Sequence, residues 1–463
     1  MSPAAAAAAA LRARGLDAVL DAALLAGPEW AARLLREAGS LDWEQLDRQR
    51  AALTTGAAAP EPVLSLEPPD LLPPSSREEH LAVREATARG WEKLRQGQVA
   101  VVTLAGGQAS RLGCDGPKGA YPIGAVSGAS LFQILAGMIA RLRARSGAAV
   151  PWILMTGPEN DAATRAFFER RNHFGLGAGD VHFACQGMLP ALTPEGELLL
   201  AAPDRLFRNP DGHGGLFRAL ARDGLLKRLE QRGVRVLYTC QVDNPLVRMA
   251  DPAFLGFHAL RGARMSCKAV VKTDPAEKVG ILALRDGSLE CIEYFDLPVA
   301  MQNQRAADGG LRLRAGNLAM HALDLGFAAE MAAHALPLHR ARKEVTALDA
   351  DLVPQRRVAV KFETFLFDAL PCAGPGKTLV QEALREEEFA PLKNRAGADS
   401  ADAVRGALDA RARRWLRAAG CDVAACGQVE IEPGLALDAQ DLATQRGAWE
   451  IRNGRFVARA GSR

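Results

Sequence analysis

The chain has 463 residues, 48% of them hydrophobic, and a net charge of +3 from 57 basic and 54 acidic side chains. That length allows two or three domains around a large core, while the near-balance of charge excludes a global field for holding nucleic acid or a membrane surface. Aromatic residues make up only 5%, which argues against a base-stacking surface, and the eight cysteines include no Cys-x-x-Cys, the usage of reduced thiols in a cytoplasmic protein.

Residues from Pro3 to about Leu53 predict helices, because Leu16, Val19, Leu20, Leu24, Trp30, Leu34 and Leu35 recur at helical spacing. Ala4 to Leu11 is apolar but too short to span a bilayer and lacks a basic leader, so it reads as helix and not as a signal peptide. Ala57 to Ser76 is rich in proline and predicts a linker, and Glu78 to Gln96 predicts a further helix. We expect residues 1–97 to form a helical N-terminal region with a supporting role.

The stretch from Gln98 to Lys118 begins as a valine-rich run typical of a strand buried on both faces. It breaks at Gly106-Gly107 into a loop of small residues, followed by the cations Arg111 and Lys118. Glycines alone are compatible with a plain strand-to-helix turn; with both cations the reading is a triphosphate site, where bare backbone N–H groups approach an anion. The Walker A spacing fails, because Pro371 stands where the first glycine before Gly376-Lys377-Thr378 is required, and the Rossmann spacing fails after Gly107.

Ser130 is a candidate N-cap for a helix, Val150 to Thr156 a second buried strand, and Asp161 to Arg171 a second helix. This alternation predicts an α/β fold with a Rossmann-like, mainly parallel sheet. Val181 to Cys185 is a short strand before Gln186, whose amide can both donate to and accept from a base edge, or can simply be a polar loop residue. Gly212, His213, Gly214 and Gly215 form a glycine frame around one imidazole, suited to close approach of a ligand or to a structural histidine. Val234 to Thr239 is a strand leading to Asp243, a carboxylate at a strand C-terminus that can place Mg²⁺ on phosphate oxygens or cap a helix. Met265 to Lys272 is a strand, and Asp286-Gly287 marks a hairpin. Val358 to Phe367 predicts a strand carrying Phe365 and Phe367, Arg405 to Leu416 a helix, and Val429 to Val457 a small β domain with a turn at Asn453-Gly454.

Leu104-Ala-Gly-Gly-Gln-Ala-Ser-Arg-Leu-Gly113 with Pro117-Lys118-Gly119 closely resembles the signature of the UDP-N-acetylhexosamine pyrophosphorylase family, within the UTP-dependent sugar-1-phosphate uridylyltransferases. Gln186-Gly-Met-Leu-Pro190, Val242-Asp-Asn-Pro-Leu-Val-Arg248, Ala315-Gly-Asn317 and Glu388-Phe-Ala-Pro-Leu-Lys-Asn394 match further family segments in the same order. The resemblance implies a nucleotidyltransferase core over residues 98–391, a C-terminal domain over 392–463, and UTP and a sugar 1-phosphate as partners. It implies that Gly106 and Gly107 approach phosphate and that Gln186 reads uracil. Gly280, Glu293 and Asn317 would bind the sugar, and Phe365 and Phe367 would line an N-acetyl pocket unless they are core. Arg111, Lys118 and Lys393 would be catalytic cations, and Asp243 would hold the cofactor Mg²⁺. Two departures stand out. Ala109 replaces a family glycine and adds a Cβ where backbone meets phosphate, which favours a UDP-sugar-binding sensor as an alternative, although with the charged residues all kept little change in activity is expected. Gly212-His213-Gly214 resembles the UDP-glucose enzymes, which favours a glucose-type or broad UDP-sugar pyrophosphorylase as another. Nothing in the residues specifies an oligomeric state.

Overall fold

The computed structural model describes residues 2–54, 66–424, 426–445, 449–452 and 455–458. Ala57 to Ser65 of the expected linker, and the Asn453-Gly454 turn, lie outside the described residues. By internal contact the chain forms two compact units: Met1–Leu64 with Gln186–Gly215 and Ala335–Asp368, and Ser65–Cys185 with Leu216–His334 and Ala369–Arg463.

In the first unit the N-terminal stretch folds as four helices, Pro3–Ala13, Ala18–Ala26, Pro28–Ala38 and Trp43–Thr54. Ser2 caps the first by accepting from the Ala5 N–H at 3.2 Å. Their apolar faces bury Leu11, Leu34 and Leu46 in one core with Leu192, Val360 and Phe362. The last two belong to a long hairpin, His339–Leu348 against Pro354–Glu363, within a four-stranded sheet. A two-stranded ribbon, Met188–Pro190 with Arg208–Pro210, completes the unit. The buried amide of Gln49 donates to the Pro190 carbonyl at 2.9 Å and fastens the helices to it.

The second unit is built on a ten-stranded sheet. Its strands in chain order are β1 Leu71–Leu72, β2 Val99–Leu104, β3 Trp152–Thr156, β4 Val181–Cys185, β5 Val236–Gln241, β6 Met265–Val271, β7 Ile281–Arg285, β8 Ser288–Ile292, β9 Ala315–Asp324 and β10 Thr378–Glu382. The main order is β1-β10-β6-β9-β5-β2-β3-β4, with β7 beside β9 and β8 beside β7. All pairings along the main order are parallel except those of β9 with β6 and β5. Every residue of β2 and β3 is buried, as their valine- and leucine-rich runs require. The helix Leu131–Ser146 covers this sheet through Phe132, Leu135 and Ile139, and opens with a full capping box of Ser130 and Gln133. The β7–β8 hairpin turns at Asp286-Gly287, where both residues take positive φ (49° and 77°), the pair of angles a two-residue I′ turn needs.

Two expectations are corrected. The strand expected to reach Phe367 ends at Glu363, and Leu366–Ala369 forms a 3₁₀ turn, because Thr364 leaves the ladder to bond Asp211. The C-terminal region carries a three-stranded sheet of Glu430–Ile431, Arg455–Ala458 and Trp449–Arg452, yet Ala439–Thr444 is helical. Asp438 caps that helix by accepting from the Asp441 N–H at 2.7 Å, and Leu442 anchors it in the local core. Among the described residues no helix is long and apolar enough to cross a membrane.

Candidate active site

After β2 the chain runs to β3 on one side, while β5 lies on the other. This reversal of strand order opens a crevice at the C-terminal ends of β2 and β5, the place where open α/β sheets bind ligands. The loop after β2 carries Gly106, Gly107 and Arg111. It folds back on itself, with the Lys118 N–H donating to the Gly107 carbonyl at 3.2 Å and the Ala109 N–H to the Gly116 carbonyl at 3.0 Å. Asn160, 1% exposed, holds the loop from β3's side by donating to the carbonyls of Ala105 and Gly107 at 2.9 and 3.1 Å. Gly107 is exposed and its φ is not positive, and a Cβ there would meet only Lys118 Cε at 3.9 Å. The chain's own packing therefore does not demand glycine at 107.

Lys118 and Asp243 meet in this crevice, Nζ to Oδ2 at 3.1 Å, each about one-fifth exposed or less (20% and 15%). The Leu392 N–H donates to the Asp243 carbonyl at 2.8 Å, which brings the exposed Lys393 to the same edge. Arg111 is exposed on the 3₁₀ turn Ser110–Leu112. Arg395, not singled out in the sequence, lies with its guanidinium carbon 4.0 Å from where a Cβ on Gly113 would stand. Asp243 is two residues past the end of β5 and is not a helix cap.

The antiparallel β9 starts at the same edge of the sheet. Register places Ile281 opposite both Ile292 and Gly316, so Gly280, Glu293 and Asn317 come together. The Asn317 N–H donates to the Gly280 carbonyl at 2.8 Å, and its side-chain amide donates to Cys291 Sγ at 3.4 Å. Cys291 is thus a member of this group that the motifs did not reveal, since its residue type carries no sugar-binding signal.

The remaining candidates lie in the first unit. The 188–190 ribbon sets Gly187, the neighbour of Gln186, against Asp211, whose N–H donates to the Gly187 carbonyl at 3.1 Å. Gly212 has φ +83°, and a Cβ there would stand 2.4 Å from the Thr364 carbonyl oxygen. The close approach its glycine permits is to the chain's own backbone, a packing reason for glycine that holds without any ligand. His213 is half-buried, and its Nδ1 accepts from the Leu366 N–H at 2.9 Å. Burial pushes its pKa down to about 4, the carboxylate of Asp368 opposing, so the ring is neutral at pH 7. Phe365 stacks with His213 (centroids 5.2 Å apart) and with His339 (4.2 Å), and Phe367 lies at 5.1 Å. Asp368 fixes the stack by accepting from the Phe365 N–H at 3.1 Å and pairing with His339 Nε2 at 2.9 Å. His339 had no sequence signal, since it stands alone in a charged strand.

Ala109, the departure in the phosphate loop, is 2% exposed and packs in the core with Leu112 and Ile123. Its methyl points into the protein, and the expectation that it obstructs phosphate loses its physical basis.

A family model described as UTP–glucose-1-phosphate uridylyltransferase matches residues 72–396. The mouse UDP-N-acetylhexosamine pyrophosphorylase-like protein 1 is 38% identical over 421 residues, covering 85% of this chain and 81% of that protein. The UDP-N-acetylglucosamine pyrophosphorylase of Saccharomyces cerevisiae is 34% identical over 400 residues, covering 83% and 84%. The crystal structure of the uridine diphosphate N-acetylglucosamine pyrophosphorylase of Trypanosoma brucei in complex with inhibitor superposes with a TM-score of 0.83 at 25% identity, covering 96% of this chain and 95% of that one.

Proposed function

This chain belongs to the UTP–glucose-1-phosphate uridylyltransferase family, and from that premise we propose that it joins UTP to N-acetylglucosamine 1-phosphate, releasing pyrophosphate. It is a nucleotidyltransferase. The observation that carries the assignment of its machinery is the Lys118–Asp243 pair at the switch point of the sheet, flanked by the Gly107 loop and Lys393.

A sugar phosphate oxygen is already a competent nucleophile, so the protein's work is to position the two substrates and to offset charge on the phosphates. Gly106 and Gly107 would let backbone N–H groups meet phosphate oxygens, while Arg111, Lys118 and Lys393 would supply positive charge. Among the described residues no three His, Cys, Asp or Glu side chains gather into a metal cage. One carboxylate, Asp243, fits Mg²⁺, which is commonly held by one or two carboxylates together with substrate phosphates. When bound there, the ion would supply further neutralisation of the phosphate oxygens. Gln186 would read the uracil edge, and Gly280, Glu293 and Asn317 the sugar. Phe365, with Phe367 behind it, would face the N-acetyl group. A cytoplasmic setting suits the eight cysteines, none of them in a Cys-x-x-Cys.

Support for the N-acetylated sugar comes from the names of the relatives at 38% and 34% identity. His213 is no counterweight: its Nδ1 is committed to Leu366 and its ring to the face of Phe365. With N-acetylglucosamine, N-acetylgalactosamine and glucose 1-phosphates competing for UTP, an N-acetylated product is expected to exceed UDP-glucose by ~10–100-fold in kcat/KM. Equal or greater UDP-glucose formation contradicts the assignment.

Ala109→Gly is expected to leave KM for UTP within about twofold, because no methyl is removed from the phosphate's side. It should cost ~0.5–1 kcal/mol of stability by loosening the unfolded chain. A large gain in activity in initial-rate assays would restore the sensor reading.

A further inference from the structure

A lysine with no solvent exposure lies behind the phosphate end of the sheet. Lys268, on β6, is 0% exposed, and its Nζ donates to Asp251 Oδ2 and Glu388 Oε2, each at 2.5 Å. Both carboxylates are themselves buried. Asp251 also accepts from the Ser75 hydroxyl and caps the helix Pro252–Leu260, and Arg248 Nε stands 3.8 Å from it. Burial raises the Glu388 carboxyl above its ordinary range although Lys268 opposes the rise; for Asp251, burial is outweighed by Lys268 and Arg248, which hold it below. Buried ion sets are weak net stabilisers compared with apolar packing, so a lysine in this place needs its carboxylates and offers little stability in return.

What the set holds in place is the phosphate machinery. The Glu388 carbonyl accepts from the Asn244 side-chain amide at 2.7 Å, and Asn244 Oδ1 accepts from the Ala390 N–H at 3.1 Å. Asn244 is 4% exposed and follows Asp243 directly. The Asp243 carbonyl accepts from Leu392, the residue before Lys393. From the other side Arg411, on the helix Ala401–Ala418, donates to the carbonyls of Leu246 at 2.8 Å and Glu387 at 3.2 Å. Segments 243–246 and 387–392 are thereby zipped together, and Lys268 ties the zipper to the sheet.

We propose that Lys268 is a positioning residue which, through Glu388 and Asn244, sets the spacing between Asp243 and Lys393. The inference rests on the reading of Asp243 as the Mg²⁺ ligand and Lys393 as a phosphate contact.

The test uses the full chain. The double variant Lys268→Met with Glu388→Gln removes one charge of each sign and leaves Asp251 beside Arg248. Asn244→Ala alters the zipper without touching any charge. Both are expected to lower kcat ~10–100-fold, since small misplacements of reacting groups carry costs of that order. Both should also raise the Mg²⁺ concentration for half-maximal rate ~10-fold or more, as loss of a ligand's supporting contacts does. KM for the sugar phosphate should stay within about twofold. Urea unfolding checks that each variant is folded, and if the double variant is not, Asn244→Ala decides. A folded variant with the wild-type Mg²⁺ requirement overturns the proposal, whether or not kcat has fallen. Asp243→Asn is assayed alongside. If it keeps wild-type Mg²⁺-dependent turnover, the metal reading falls and the inference with it. If it loses turnover while the other variants match wild type, the positioning role alone falls.

Discussion

Asp243→Asn is expected to reduce Mg²⁺-dependent turnover by ~10³-fold while leaving the protein folded. The substitution keeps the side chain's shape and removes its charge. Asp243 is 15% exposed and Lys118 20%, so the lysine left behind is hydrated and not stranded in an apolar core. The fold should therefore tolerate the change, because the backbone tie from Leu392 to the residue 243 carbonyl does not involve the side chain. The loss falls on catalysis: without the carboxylate, an ion on the substrate phosphates has no protein anchor at the C-terminal edge of β5. Initial rates of pyrophosphate release across a Mg²⁺ titration check this. Turnover with a wild-type Mg²⁺ profile in Asp243→Asn contradicts the role.

Lys118→Met should cost ~10²–10³-fold in kcat/KM, the usual loss when one positive group aimed at developing phosphate charge is removed. Two effects combine. The cation itself goes, and so does the partner that holds Asp243 in place before substrate arrives. Lys118→Arg is expected to restore only part of the rate, since a planar fork does not reproduce a compact ammonium on a loop closed by the Lys118 N–H bond to Gly107. The split between kcat and KM for UTP measures the balance of the two effects. A Lys118→Met enzyme within about threefold of wild type is incompatible with the crevice as the phosphate site.

The strand and loop proposed to take the phosphates were legible in sequence because their signal is local. A buried valine run leads directly into a loop that carries two glycines and two cations. The switch in strand order that makes the loop a crevice depends on where β5 pairs, and no local pattern encodes that pairing. Asn160 and Lys268 carry no local signal for the same reason. Their partners, the carbonyls of Ala105 and Gly107 and the carboxylate of Glu388, lie 53–55 and 120 residues away in the chain. The glycine frame around His213 suits either a ligand or a structural histidine by sequence alone, and what no local pattern encodes is the contact of Gly212 with Thr364, 152 positions further on by residue number. The same contact ends the strand before Phe365, so a long-range bond overrode a local β pattern that ran on to Phe367. Ala109 shows the converse: a departure from the motif turns out to place its methyl in the core with Leu112 and Ile123, away from the loop's open side.

The central claim is tested most directly by pyrophosphate release from UTP, measured with the purified full chain with and without N-acetylglucosamine 1-phosphate and with and without Mg²⁺. The account predicts rapid release only when UTP, the sugar phosphate and Mg²⁺ are all present. Absence of release under that full condition, with UDP-N-acetylglucosamine still bound, would contradict it and identify a binding protein in place of an enzyme.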